Sequence, residues 1–221
     1  IFYLIMTKYR ELILKSAKKY YDQLNNEDFS HDFNHILRVE RLAKRIAESE
    51  NVDIEIIEAS CLLFDVARIL EDKGKVSDHA EEGSKIAKQI LEKINFPKDK
   101  IDSVCHAILV HRKSKGRKPE TMEAKILQDA DYLDALGAVD IARVIASSLQ
   151  SKKYKRPIYV EPTNDDIEIK SAIHYFLHKI EHPKLQPNKF HTKLGRQLAK
   201  ERFDFMKEFT ERFIDEWNGK R

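Results

Sequence analysis

The chain has 221 residues, 42% of them apolar and 35% charged, with 40 basic and 37 acidic side chains and a net charge of +3. That is enough chain for one domain with a real core. Near-balanced charge without interleaved aromatic and basic residues argues against a nucleic-acid partner. The apolar run Ile1–Met6 is too short to span a bilayer and has no basic lead or cleavage site, so no membrane partner is expected. The chain begins with Ile, and Met6 is a candidate start residue. Cys61 and Cys105 both fall in apolar helical stretches and read as small core residues of a reducing, cytoplasmic compartment.

In chain order, Tyr9–Leu24 reads as an amphipathic helix with an inward stripe of Leu12, Ile13, Ala17, Tyr20 and Leu24, broken by Asn25-Asn26. Asp32 is the N-cap of a second helix, Phe33–Ser49, whose inward stripe is Ile36, Val39, Ala43, Ile46 and Ala47, with His35 beside it. Asp53 caps a third helix running to about Leu70. That helix holds Ala59-Ser-Cys-Leu-Leu-Phe-Asp-Val-Ala-Arg68, an apolar run with Asp65 at its centre. Glu58 on the same line suggests that this face opens to solvent at its start. A polar loop, Glu71–Asp78, leads to a fourth helix starting at Ser77 or Asp78 and ending near Ile94.

Pro97 suits the first turn of a fifth helix ending near His111. The loop Arg112–Lys118 has five basic residues in seven and reads as a solvated loop, with contact to a nucleotide's phosphates as the second reading. Thr121 caps a sixth helix continuing through Asp131 and Asp134 towards Gly137, and Ala138–Leu149 forms a seventh. Ile158–Val160 reads as a short extended piece between Pro157 and Pro162. A helix follows at about Ile167–Ile180, and a long last one over Leu194–Trp217. The expected fold class is all-α, with a C-terminal helical extension over about 165–218.

Three polar groups stand on apolar helix faces: His35, Asp65 and Asp131. An unpaired buried carboxylate costs several kcal/mol, about the scale that forces neutralisation, pairing or cation binding. A divalent metal would answer all three, with oxygen and nitrogen ligands that suit Mn, Fe, Ni, Mg or Zn. From spacing alone each residue has a second reading: His35 as a core histidine, Asp65 as a helix–helix acceptor, Asp131 as a partner of Arg68. His111 shares a face with Val104 and Ile108 and points inward. His106, five positions earlier and about 140° round the helix, is expected to be structural or to support a ligand from behind. His79 stands at a helix start, where free N–H groups favour anions. Asp134, one turn after Asp131, is placed to orient a ligand histidine.

Five segments in order resemble the HD superfamily of metal-dependent phosphohydrolases. They are His31-Asp-Phe-Asn-His35-Ile-Leu-Arg-Val39, Leu62-Leu-Phe-Asp65-Val-Ala-Arg68, Asp78-His-Ala-Glu-Glu-Gly83, Cys105-His-Ala-Ile-Leu-Val-His111, and Gln128-Asp-Ala-Asp131-Tyr-Leu-Asp134-Ala-Leu-Gly137. The motif core covers about 26–146, and the residues around Arg196–Phe213 resemble the tail of small stand-alone members. The resemblance implies a single HD-type helical bundle over 1–221. It also implies a divalent metal held by His35, the residue at position 64 with Asp65, and Asp131. Here the sequence departs from the pattern, because position 64 is Phe64 where the family has histidine, and a phenyl ring cannot ligate a metal. His79 and His111 are the candidates for an extra ligand or a phosphate contact.

Asp65 and Arg68 are the catalytic candidates, Arg68 through contact with phosphate or, in its second reading, a salt bridge to Asp65 or Asp131. The implied activity is hydrolysis of a nucleotide or other small phosphate ester or anhydride, weakened by Phe64. The alternative is a degenerate member that binds a nucleotide or phosphorylated ligand without turnover. A homodimer built through the C-terminal helices is a third, structural reading.

Overall fold

A computed structural model describes residues 7–24, 32–150, 154–161, 169–183 and 185–221. Ile1–Met6, the Asn25-Asn26 break, Pro162 and the expected helix start at Ile167 lie outside the described residues. The described residues hold ten α-helices: α1 Arg10–Leu24, α2 Phe33–Ala47, α3 Ile54–Leu63, α4 Arg68–Asp72, α5 His79–Lys93, α6 Lys98–Val110, α7 Met122–Asp134, α8 Ala138–Gln150, α9 Ala172–Glu181 and α10 Lys193–Trp217. Among the described residues there is no strand, so the protein is all-α.

Side-chain caps set the helix starts. Asp32 accepts from His35 N at 2.9 Å, Asp53 from Glu55 N at 2.9 Å, Asp78 from Ala80 N at 3.1 Å and Thr121 Oγ1 from Ala124 N at 3.2 Å. Each satisfies an N–H that the first turn leaves without an intrahelical partner.

Two compact units divide the chain after Asp131, within α7. In the first, α2 packs on α3, α5 on α6, α3 on α6, and α1 on α3, α4 and α5. The α3 helix is buried from Ile56 to Leu63, as expected of a helix that is apolar nearly all round. The stripe Ile36, Val39, Ala43, Ile46 and Ala47 on α2 is buried as read from the sequence. On α1 the buried line is instead Tyr9, Ile13, Ala17 and Tyr21, while Leu12 is 45% exposed. The reason is Tyr21, whose hydroxyl donates to the Leu62 carbonyl and turns its own face of α1 inward.

Glu58 also departs from expectation: its face does not open to solvent. The side chain is fully buried and paired with Lys44 of α2, and it accepts from Thr7 N at 3.1 Å. Lys44 lies 2.9 Å from Glu40, which in turn takes two hydrogen bonds from Arg10 at 2.9 and 3.1 Å. An acid inside an apolar core is tolerated because Lys44 reaches it from α2, with Arg10 of α1 joining the same network through Glu40.

The expected third helix does not run to Leu70. It stops at Leu63, tightens through residues 64–67, and restarts as the short α4. Within the tightened turn Val66 N donates to Leu63 O at 3.3 Å and Arg68 N to Asp65 O at 3.0 Å, both three-residue closures. One carbonyl here is met from outside. Leu62 O accepts from Tyr21, and the Phe64 carbonyl packs so close to Gly83 of α5 that a Cβ there would come within 3.3 Å of it.

In the second unit α8 and α9 pack on α10. Lys179 of α9 reaches the buried Asp140 of α8 at 2.6 Å and the Ala135 carbonyl at 2.9 Å. Phe176, Phe209, Phe213, Trp217 and Tyr159 form a run of aromatic contacts with centroids 5.4–6.2 Å apart. The expected extended piece Ile158–Val160 is not a strand. Pro157 O and Ile158 O instead accept from Ala172 N and Ile173 N at the start of α9, at 3.0 and 3.1 Å.

Candidate metal centre

The tightened turn after α3 carries the centre. Asp65, held there and 4% exposed, is surrounded by imidazoles from three helices or helix ends. His79 Nε2, at the first residue of α5, stands 3.2 Å from Asp65 Oδ1. His111 Nε2, just past α6, stands 3.9 Å from the same oxygen and 3.3 Å from His79 Nε2. His35 Nε2, in the first turn of α2, lies 3.8 Å from Asp65 Oδ2 and 3.5 Å from Asp131 Oδ1 of α7. One atom each from Asp65, His79 and His111 lies within 4.8 Å of the others, and all three residues are buried.

The donor set fits a divalent ion. His111 Nδ1 is 2.7 Å from the Ile108 carbonyl, which can only accept, so Nδ1 carries the proton and Nε2 presents its lone pair to the cluster. His79 Nδ1 is hydrogen-bonded to Glu71, which leaves Nε2 facing Asp65 and His111. Two imidazole nitrogens, each braced from behind, and a carboxylate are ligands suited to Mn, Fe, Ni or Zn.

The charges in the cluster are coupled. Burial works against an ionised Asp65. The hydrogen bond and charge of His79, with the positive fields of Arg68 and His35, outweigh it and hold the carboxyl well below the usual range. Burial also disfavours the charged form of His79, but its bond to Asp65 overrides this and raises its pKa. Burial dominates at His111 and lowers its pKa, keeping it neutral and able to ligate.

Phe64 sits inside this arrangement. Its ring is 1% exposed and stands edge-on to His35 at 5.6 Å and to His111 at 5.2 Å between centroids. The position where the resemblance places a ligand therefore supplies an apolar wall between two of the imidazoles.

The remaining sequence candidates separate. Arg68 opens α4, with Nε 3.5 Å from Asp72, and its charge acts on Asp65. His106 accepts from Glu120 N at 3.1 Å on an exposed side of α6, where it braces the segment before α7. Asp134 lies in the second unit, 2.5 Å from Arg143. In the basic loop, Arg112 pairs with Glu71 at 3.0 Å and Asp78 at 3.1 Å, and Arg117 pairs with Asp78 at 2.7 Å. Lys113 is half-buried, with its pKa lowered chiefly by burial and partly restored by Asp129 and Asp131. Arg112 and Arg117 are thus tied to the carboxylates that flank α5, while Lys115 and Lys118 are exposed, as expected of a solvated loop.

Sequence reasoning missed Glu71, assigned there to a polar loop. It closes α4 and folds back to His79, accepting from His79 N at 3.0 Å as well as from Nδ1. No local pattern signals this, since the contact depends on how the loop 73–78 returns.

An all-helical fold with buried histidines gathered on an aspartate offers a set of side chains that could hold a metal ion. Comparison with known proteins makes it specific. The HD domain family model matches residues 32–136. The uncharacterized protein YpgQ of Bacillus subtilis is 31% identical over 194 residues, covering 84% of each chain. Similar solved structures include a predicted HD superfamily hydrolase from an uncultured Thermotogales bacterium, at 30% identity and TM-score 0.68 over 95% of this chain and 93% of that one. An HD-superfamily hydrolase from Bacillus thuringiensis matches at 29% and 0.69, over 96% and 99%. YpgQ in complex with ADP matches at 28% and 0.67, over 93% and 94%. The chain belongs to the HD superfamily. Among the described residues no helix is long and apolar enough to cross a membrane, and both cysteines are free.

Proposed function

We propose that the protein is a metal-dependent phosphohydrolase acting on a nucleotide, with the divalent ion held by Asp65, His79 and His111 and with His35 and Asp131 beside it. One observation carries the reading: three buried ligand atoms within 4.8 Å of one another, two of them imidazole nitrogens turned towards a carboxylate. Such a cluster is costly without a cation to compensate it. When bound, the ion would lower the pKa of water and polarise a phosphoryl oxygen.

The chain's own residues would do the rest. Asp131, the most exposed acid of the group at 22%, and His35, 3.5 Å from it, are placed to take up a proton at the open side. Arg68 and Lys113 supply positive charge where it develops on phosphate. The ADP complex of YpgQ supports a nucleotide as the ligand class.

Phe64 favours a second reading, a degenerate site that binds a nucleotide without turnover. The two are separated by manganese-dependent release of phosphate or pyrophosphate over a panel of nucleotides. Release that is lost in Asp131→Ala supports hydrolysis. Thermal stabilisation by a nucleotide with no product supports the binding module.

A further inference from the structure

We propose that Glu71 is the positioning residue of the centre: it fixes the ring of His79 so that Nε2, and not Nδ1, is presented to the metal, and Arg112 holds Glu71 in that role. The inference rests on the metal-site reading above.

The hydrogen-bond geometry carries it. One oxygen of Glu71, Oε2, accepts from three donors: His79 Nδ1, the His79 backbone N at 3.0 Å, and Arg112 Nη1 at 3.0 Å. Its other oxygen accepts from the same guanidinium nitrogen at 3.2 Å. A carboxylate held from three directions has little freedom to rotate, so it acts as a fixed acceptor behind the ring. On the other side of the ring, Nε2 faces Asp65 at 3.2 Å and His111 Nε2 at 3.3 Å, the two other ligand candidates. A neutral imidazole carries one proton. Placing it on Nδ1, towards Glu71, leaves the Nε2 lone pair for a cation shared with Asp65 and His111.

Arg112 makes the arrangement more than a local pair. It also bonds Asp78 at 3.1 Å, the cap of the helix that His79 opens. Arg112 directly follows the ligand candidate His111 in the chain, and it grips the carboxylate behind His79. Both histidines are positioned by one short stretch of chain, and the loop that sequence reading assigned to solvent becomes the clamp of the site.

The test is manganese affinity by titration calorimetry beside the melting temperature of the metal-free protein, for the full chain and for Glu71→Ala, Glu71→Gln and Arg112→Gln. Expected is about a 10- to 100-fold loss of affinity in Glu71→Ala, the range seen when a ligand histidine loses its carboxylate support. Glu71→Gln, which retains an acceptor oxygen, should lose less affinity, and Arg112→Gln less than Glu71→Ala, with losses of affinity that do not follow the changes in melting temperature. Unchanged affinity in Glu71→Ala would overturn the positioning role while leaving the metal site standing. Losses that follow the melting temperature across all three variants would make Glu71 structural and also overturn it. A parent chain that binds no manganese would overturn the metal-site reading, and this inference with it.

Discussion

The rings of Phe64 and His111 meet edge to face, 5.2 Å between centroids and 79° between planes. An aromatic contact of this kind stabilises the folded protein and holds the imidazole in place. It also fills, with carbon, the position from which the family resemblance draws a nitrogen ligand. Phe64→His should therefore trade stability for metal. The metal-free variant should lose on the order of 1–3 kcal/mol, since a buried phenyl is replaced by a smaller polar ring. Its manganese affinity should rise at least tenfold. Thermal melts and calorimetry on the two chains check both halves.

The buried charges on α2 and α3 give a prediction about stability alone. Glu58→Ala would strip the buried Lys44 of one of its two carboxylate partners among the described residues, leaving Glu40 at 2.9 Å. The expected cost is about 3–5 kcal/mol, the scale for breaking a buried pair from one side. Replacing both members, as Lys44→Met with Glu58→Leu, should cost clearly less, because no charge is stranded. Urea unfolding of the two variants measures the difference.

Acid should weaken the clamp around α5. Burial alone would raise the Asp78 carboxyl, but the bonds from Arg117, Ala80 N and Arg112 outweigh it and hold the pKa at about 2. A folded-state pKa below the unfolded value contributes stability that is present above pH of about 4 and is lost as pH falls through about 2. The contribution at neutral pH is on the order of 2 kcal/mol. Asp78→Asn should therefore be less stable at pH 7 and show a shallower loss between pH 4 and 2, measured by denaturant unfolding across that range.

Much of the fold was legible in the sequence because its signals are local. Asp32, Asp53, Asp78 and Thr121 announce their helices within three residues, and the α2 stripe repeats at helical spacing. The failures share a cause as well. The break after Leu63 involves Tyr21, which meets the Leu62 carbonyl, and Gly83, which leaves room for the Phe64 carbonyl, both far away in the chain. The burial of Glu58 depends on Lys44. In the site, the inward placing of His35, Asp65 and His111 followed from apolar neighbours on their helix faces. Glu71 carried no such sign, because its partner lies across a loop.

Manganese binding to the unmodified chain and to His111→Ala, followed by titration calorimetry, tests the central claim most directly. The account predicts one ion per chain, bound at least tenfold more weakly when His111 is removed. Failure of the unmodified chain to bind manganese, or equal binding by the variant, would contradict a metal centre built on Asp65, His79 and His111.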